Sequence, residues 1–426
     1  MINHLTGIAP EAILEVQRAE QALIHGGVFA RMEETALTNQ MKVMEALQEN
    51  RVEMRHFASS TGYGYDDIGR DTLDRVYARA FGAEAALVRP QMINGTHALA
   101  LALYGVLRPG DVILSVTGKP YDTLEEVIGL SGEADQGSLK DFGIRYEQLE
   151  LGDGGAIDLK GLEARLEAGP VRMVYLQRSK GYDWRPTMSM EQLSQVTELV
   201  HRVQPKALVM VDNCYGEFVE DREPTEVGAN LMAGSLIKNP GGGIAPCGGY
   251  IAGRADLIDQ CAHRMTAAGV GREIGASLGH NRELYMGLFH APHVTGEALK
   301  AAVYAAALFE KMGFSVTPAP EEARADIIQT VLLENREKLI AFCKGLQSGA
   351  PVDSHLTPEP WEMPGYDDQV IMAAGAFTMG ASIELSADAP LREPFAVWMQ
   401  GGLNFDSARV GLLLAAGEVQ RAADKG

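Results

Sequence analysis

Between residues 61 and 290, short apolar runs alternate with stretches of helical periodicity. The runs at 85–88, 112–116, 171–176, 207–211 and 249–252 have the length of buried strands, and helix-like stretches at 72–81, 97–107 and 190–203 lie among them. This rhythm predicts an α/β fold with a mostly parallel central sheet. Ahead of it, Ile13, Val16, Ala19 and Leu23, then Val43 and Leu47, recur at helical spacing and predict two helices in an N-terminal arm. From about residue 293 the pattern changes. An alanine-rich helix at 294–312, a strand-like Phe314-Ser315-Val316, a helix near 324–348 and strand-like runs at 369–374 and 379–385 predict a smaller α+β domain. The expected division is therefore an arm at 1–60, a large α/β domain at 61–292 and a small C-terminal α+β domain at 293–426. Prolines 351, 358, 360 and 364 mark 351–368 as a loop and a plausible gate.

Composition narrows the class. With 426 residues and 46% apolar content the chain can bury a large core. A formal charge of −20 argues against nucleic acid or anionic membranes as partners. No apolar run approaches a membrane span and no basic-then-apolar leader opens the sequence, so a soluble, cytoplasmic protein is expected. Cys214, Cys247, Cys261 and Cys343 have neither metal-site nor disulfide spacing and are expected as free thiols, with Cys247 near the glycine-rich stretch around Lys238. His290 and His293 resemble a metal pair, but Pro292 between them is expected to break the helix that would align them, and no acidic ligand follows, so no metal site is expected. Gly269-Val270-Gly271-Arg272 and Gly241-Gly242-Gly243 lack the context of nucleotide-binding loops.

Three short segments carry candidate chemistry. Lys238 follows the run ending in Ser235-Leu236-Ile237, and Asp212 ends the apolar run 207–211. Asn94-Gly95-Thr96-His97 follows a strand-like run and opens a helix-like one, so its backbone N–H groups would face an anion. An amine able to form a Schiff base, a carboxylate able to hold a pyridinium nitrogen and a phosphate-binding turn are what pyridoxal phosphate requires of a protein. Their order, each after a strand-like run, fits an open α/β sheet that gathers its ligands at the strand ends.

Here the chain resembles a known group, the fold-type-I pyridoxal-phosphate enzymes, and within it the methionine gamma-lyase or aluminium resistance protein family, related to the cystathionine lyases. The resemblance rests on residues 61–99, 175–186, 209–220, 234–253 and 288–299. It implies pyridoxal 5'-phosphate as cofactor, Gly95, Thr96 and Ser235 as phosphate ligands, Asp212 as the pyridinium partner and Lys238 as the Schiff-base lysine. Tyr121 occupies the place of a tyrosine stacked on the cofactor ring. Where the cystathionine-lyase relatives reach a neighbouring subunit's phosphate with Tyr-x-Arg, this chain has Tyr63-Gly64-Tyr65-Asp66-Asp67, so either Arg70 substitutes or the loop serves the substrate. Arg178 and Arg409 are the candidates for the substrate carboxylate.

The activity implied is γ-elimination from an amino acid with a Cγ leaving group, such as methionine, cystathionine or an O-substituted homoserine like canavanine. Lys238 would move the protons, and Tyr121 or Tyr65 would protonate the leaving group. The same residues would serve a β-lyase, an aldolase or a γ-replacement transferase, and a non-catalytic cofactor-binding protein is the reading of another class. A homodimer or a dimer of dimers is expected, with the small amino acid as the only other partner.

Overall fold

The computed structural model describes residues 10–363 and 368–423. Its elements run, in chain order, through helices α1 (Pro10–His25), α2 (Val28–Glu49) and α3 (Ile68–Ala80), then strand β1 (Ala85–Arg89), α4 (Gly95–Val106), β2 (Val112–Ser115), α5 (Asp122–Ile128) and β3 (Arg145–Gln148). After these come α6 (Leu159–Ala168), β4 (Met173–Gln177), α7 (Met190–Val203), β5 (Leu208–Asp212), β6 (Leu231–Ser235), β7 (Gly249–Gly253) and α8 (Ala255–Met265). The long helix α9 (Asn281–Lys311) is followed by β8 (Val316–Thr317), β9 (Gln329–Leu332), α10 (Arg336–Ser348), β10 (Val370–Ala373), β11 (Ser386–Pro390), β12 (Ala396–Gln400) and α11 (Phe405–Ala423).

The chain divides into two compact units, 39–290 and the described residues of 1–38 with 291–426. In the first, seven strands form one sheet in the order β1-β7-β6-β5-β4-β2-β3. Neighbours from β3 to β6 pair in parallel, and β7 runs antiparallel to both β1 and β6. β4, β5 and β6 are buried along their whole length, as parallel strands covered on both faces must be, and the antiparallel β7 is buried likewise. Leu99, Ala102 and Leu103 of α4 and Leu257, Ile258 and Cys261 of α8 pack on the sheet residues Leu87, Ile251, Ala233 and Met210 in one core. The parallel run brings the ends of β4, β5 and β6 side by side, with Gln177 paired to Asp212 and Asp212 to Ala233.

The second unit holds a five-stranded antiparallel sheet, β10-β11-β12-β9-β8, packed against α10 and α11 through Leu339, Phe342, Leu346, Leu412 and Ala416. Leu23, Val28 and Phe29 pack there against Val303 and Ala307, so residues up to 38 join the C-terminal elements instead of forming an arm of their own with 39–60. The side chains of Ile13, Val16 and Ala19 lie outside the described residues.

Several expectations need correction. The stretch 324–348 is a strand and a helix: Gln329–Leu332 pairs with β12, Glu334 turns the chain at φ +69, and Asn335 caps α10 by accepting the Lys338 N–H at 2.9 Å. Residues 379–385 are not a strand; the strands lie at 386–390 and 396–400. Pro292 does not end its helix, because α9 runs through it and loses only the one N–H that proline lacks. Of the expected gate, 364–367 lie outside the described residues, and Trp361 pairs with Val370. No group of three potential metal ligands occurs among the described residues, and no described helix is long and apolar enough to cross a membrane.

Candidate active site

The site is assembled where the parallel strands end. Asp212 is the last residue of β5 and is only 5% exposed. Its Oδ1 accepts the Cys214 N–H at 3.1 Å, and the Tyr175 hydroxyl approaches it from β4 without reaching hydrogen-bond geometry. Lys238 follows β6 by three residues, in the connection to β7, and places Nζ 3.8 Å from the centre of the Tyr215 ring. It is partly accessible, as an amine that must meet an incoming group has to be.

The phosphate turn reaches the same place. Asn94 caps α4 by accepting the His97 N–H at 2.8 Å, which leaves the Gly95 and Thr96 N–H groups ahead of it without intrahelical acceptors. A Cβ on residue 95 would stand 3.2 Å from Cys214 Sγ and 3.4 Å from Ser235 Cβ, so glycine keeps this corner open while bringing the helix start against both strand ends. Ser235 is 1% exposed and accepts the Ile237 N–H at 3.3 Å. The Thr96 and Thr123 hydroxyls lie 2.8 Å apart, tying this helix start to that of α5. Tyr121 stands just before α5, its N–H donated to Gln177 Oε1 at 2.7 Å and its ring 5.8 Å from that of Tyr182. Because Gln177 pairs with Asp212, this fixes Tyr121 at the same edge of the sheet. Thus Gly95, Thr96, Ser235, Asp212, Lys238 and Tyr121 come together.

The electrostatics suit a cationic ring. Burial raises the pKa of Asp212, while Lys238, the Cys214 N–H and Tyr175 pull it down. Burial likewise opposes a charge on Lys238, yet Cys214, Tyr215, Asp212 and Glu217 around it leave its pKa above the ordinary lysine value. Cys214 and Tyr215 act so only as anions, and thiols and phenols are ordinarily neutral at pH 7. The carboxyl groups facing Lys238 are those of Asp212 and Glu217. A buried carboxyl with an amine as its opposing charge needs another cation once that amine is covalently engaged, and a protonated pyridine nitrogen is such a cation. With a helix start for phosphate and an amine for an aldehyde, the residues fit pyridoxal phosphate.

Of the other expected residues, Arg178 lies at the same strand ends, its N–H donated to the Asp212 carbonyl at 3.0 Å. Arg178 is fully buried and held by the fold: it donates to Asn213 Oδ1 at 3.0 Å and to the Gly216 carbonyl at 2.6 Å, and pairs with Glu220 at 2.7 Å. Residue 216 must be glycine because a Cβ would meet Arg178 Cδ at 2.5 Å. Arg178 clamps the turn after β5 and is not disposed to take a substrate carboxylate. Arg409 lies on α11 in the other unit, ion-paired with Glu20 at 2.5 Å and Asp406 at 3.2 Å. Tyr65 is 63% exposed and stacks with Tyr63, their ring centres 5.6 Å apart. Arg70 is no phosphate ligand within its own chain, since it is buried and donates to the Gly64 and Gly275 carbonyls at 2.8 and 3.1 Å. Asp67 caps α3 by accepting the Arg70 N–H at 2.9 Å. Cys247 is partly exposed with its pKa raised by burial.

Sequence reasoning missed Tyr215, Glu217 and Glu223. Glu217 is fully buried, accepts the Tyr250 hydroxyl at 2.7 Å and has its pKa raised by burial to about 8. Glu223 accepts the Asn213 Nδ2 at 2.9 Å and the Phe218 N–H at 2.8 Å, and burial raises it to about 7. No sequence signal marked them, since their burial depends on the conformation of the turn after β5.

Comparison with known proteins agrees with this geometry. The profile of the family described as methionine gamma-lyase matches residues 13–420. An uncharacterized protein of Bacillus subtilis, YnbB, is 51% identical over 90% of this chain and 91% of its own. A structure described as a carbon-sulfur lyase involved in aluminum resistance, from Clostridium novyi, is 48% identical, with a TM-score of 0.90 over 95% of each chain. One from Clostridium acetobutylicum, described provisionally as a cystathionine beta-lyase involved in aluminum resistance, is 46% identical, with a TM-score of 0.94 over 98% of this chain and 97% of that one. L-methionine gamma-lyase of Pseudomonas putida is 27% identical over 47% of this chain and 45% of its own.

Proposed function

The chain belongs to the methionine gamma-lyase family of pyridoxal-phosphate-dependent lyases, with pyridoxal 5'-phosphate as its cofactor, and from that premise we propose that it removes a substituent from Cγ of an amino acid. The substrate class is a thioether such as methionine or cystathionine, or an O-substituted homoserine such as canavanine. The observation that carries this reading is the convergence of Lys238, Asp212 and the start of α4 at one edge of the sheet, in a chain matched by the family profile from residue 13 to 420.

The N–H groups of Gly95 and Thr96 and the Ser235 hydroxyl bind the phosphate. Asp212, anchored by the Cys214 N–H, holds a proton on the ring nitrogen. The bound cofactor supplies the electron sink for the pair left at Cα. Lys238, when not bonded to the cofactor, would take the proton from Cα and, having handed that proton on and become neutral again, would take one from Cβ. Tyr121 orients the ring and protonates the departing γ-group. Tyr65, on the exposed 61–67 loop, serves the site of a second copy in a homodimer or dimer of dimers.

A second reading is β-elimination, which uses the same residues and is favoured by the description of the Clostridium acetobutylicum relative. The two differ in which hydrogens leave. In deuterated water the γ-lyase exchanges both Cα and Cβ hydrogens of a slow substrate and converts vinylglycine to 2-oxobutanoate. Exchange confined to Cα, with pyruvate formed from β-substituted substrates and no turnover of γ-substituted ones, assigns β-elimination instead.

A further inference from the structure

The turn after β5 is built around Tyr215. Its backbone has φ +72, a left-handed conformation that a bulky residue adopts only when its surroundings impose it, and Phe218 three residues on has φ +61. What imposes it is the residue next to Lys238. Asn239 Nδ2 donates to the Tyr215 carbonyl at 3.0 Å and to the Glu217 carbonyl at 2.9 Å, so the Lys238 segment and this turn are clamped to each other by one side chain. The Gly216 N–H closes the turn on the Asn213 carbonyl at 2.9 Å, and Arg178 binds the Gly216 carbonyl from beneath. This backbone delivers the aromatic face of Tyr215 to within 3.8 Å of Lys238 Nζ.

We propose that Tyr215 is a positioning residue for Lys238, its ring holding Nζ and favouring the protonated form of the lysine. An aromatic face attracts an ammonium through its quadrupole and has no such attraction for the neutral amine. The effect requires no ionisation of the phenol, so it operates at pH values where Cys214 and Tyr215 are neutral. The titratable groups facing Nζ are Asp212 at the end of β5 and Cys214, Tyr215 and Glu217 in the turn that follows it. In turnover the ring steadies Lys238 while it carries the proton taken from the substrate. The inference rests on Lys238 being the cofactor lysine.

The test uses the cofactor-free protein and the rate at which it recombines with pyridoxal phosphate, read at several pH values from the growth of the visible band. Recombination requires the neutral amine, so on the rising limb of its pH profile the rate follows the neutral fraction of Lys238. Removing the ring lowers the amine's pKa by about half to one and a half pH units, and recombination at a fixed pH becomes about 3- to 30-fold faster. Tyr215→Asn is the variant of choice because asparagine tolerates the left-handed backbone, and Tyr215→Gly is the second should the first misfold. Tyr215→Phe keeps the ring and is expected to match the wild-type profile. The acceleration persists in a Glu217→Gln background, where the neighbouring carboxyl is gone. Slower or unchanged recombination in Tyr215→Asn and Tyr215→Gly, equal acceleration in Tyr215→Phe, or loss of the effect in the Glu217→Gln background each overturns the proposal. If instead a Lys238→Ala chain recombines like the wild type, the assignment of the site itself fails.

Discussion

Glu217 lies inside the molecule with one oxygen on the Tyr250 hydroxyl and Oε2 without a hydrogen-bond partner, and burial puts its pKa at about 8. A carboxyl raised above its unfolded value of about 4.5 holds a proton in the folded state that the unfolded chain has released. Its contribution to stability is therefore most favourable below that unfolded value and is lost as pH rises toward 8. Glu217→Gln removes the ionisation and keeps an acceptor for Tyr250. Its stability relative to wild type is expected to rise between pH 5 and pH 8.5, by about 4 kcal/mol, in denaturant unfolding at the two pH values. A constant difference across that range would mean that Glu217 does not titrate as its burial requires. Tyr215 and Glu217 were not legible in the sequence because their roles depend on a turn with positive φ at Tyr215 and Phe218, and no spacing rule announces that for residues this bulky.

At the scale of elements, α4 shows how backbone and chemistry coincide. Gly95→Ala would put a methyl group 3.2 Å from Cys214 Sγ and 3.4 Å from Ser235 Cβ, into the corner assigned to phosphate. The variant is expected to stay folded while its affinity for pyridoxal phosphate falls about tenfold or more, measured by titration of the apoprotein; unchanged affinity would place the phosphate elsewhere. The α/β unit was readable where β4 and β5 are unbroken apolar runs with a helix between them, Asp212 ending the second; β6, Leu231-Met232-Ala233-Gly234-Ser235, which Lys238 follows, was not among the predicted runs. β3, Arg145-Tyr146-Glu147-Gln148, escaped notice because it is an edge strand with a polar composition. β11, Ser386–Pro390, is buried although it carries Ser386 and Asp388, which the Gln400 amide bonds at 3.1 and 3.2 Å from the adjoining strand. That pairing partner is remote in sequence, so hydrophobic patterning placed the strand too early. The setting of Arg178 was hidden for a related reason: nothing local in Gln177-Arg178-Ser179 reveals that Asn213, Gly216 and Glu220 bond the guanidinium.

For the molecule as a whole, the exposed Tyr63-Tyr65 loop is held rigidly by Arg70 against the Gly275 carbonyl yet stands out from its own unit. If it completes the site of a second copy, a Lys238→Ala chain and a Tyr65→Phe/Arg70→Ala chain, each inactive alone, recover activity when mixed into hybrid dimers, because one of the two sites is then intact. Hybrids that form but stay inactive would keep the loop within its own subunit. The central claim is that Lys238, beside Asp212 and the start of α4, is the residue that carries the cofactor. The chain offers a specific rival in Lys180, which follows β4 and is fully buried, whereas Lys238 is partly accessible. Reducing the holoenzyme with borohydride and mapping the modified peptide decides between them: the account predicts the pyridoxyl group on Lys238 with loss of the visible band, and its recovery on Lys180 or any other lysine would contradict it.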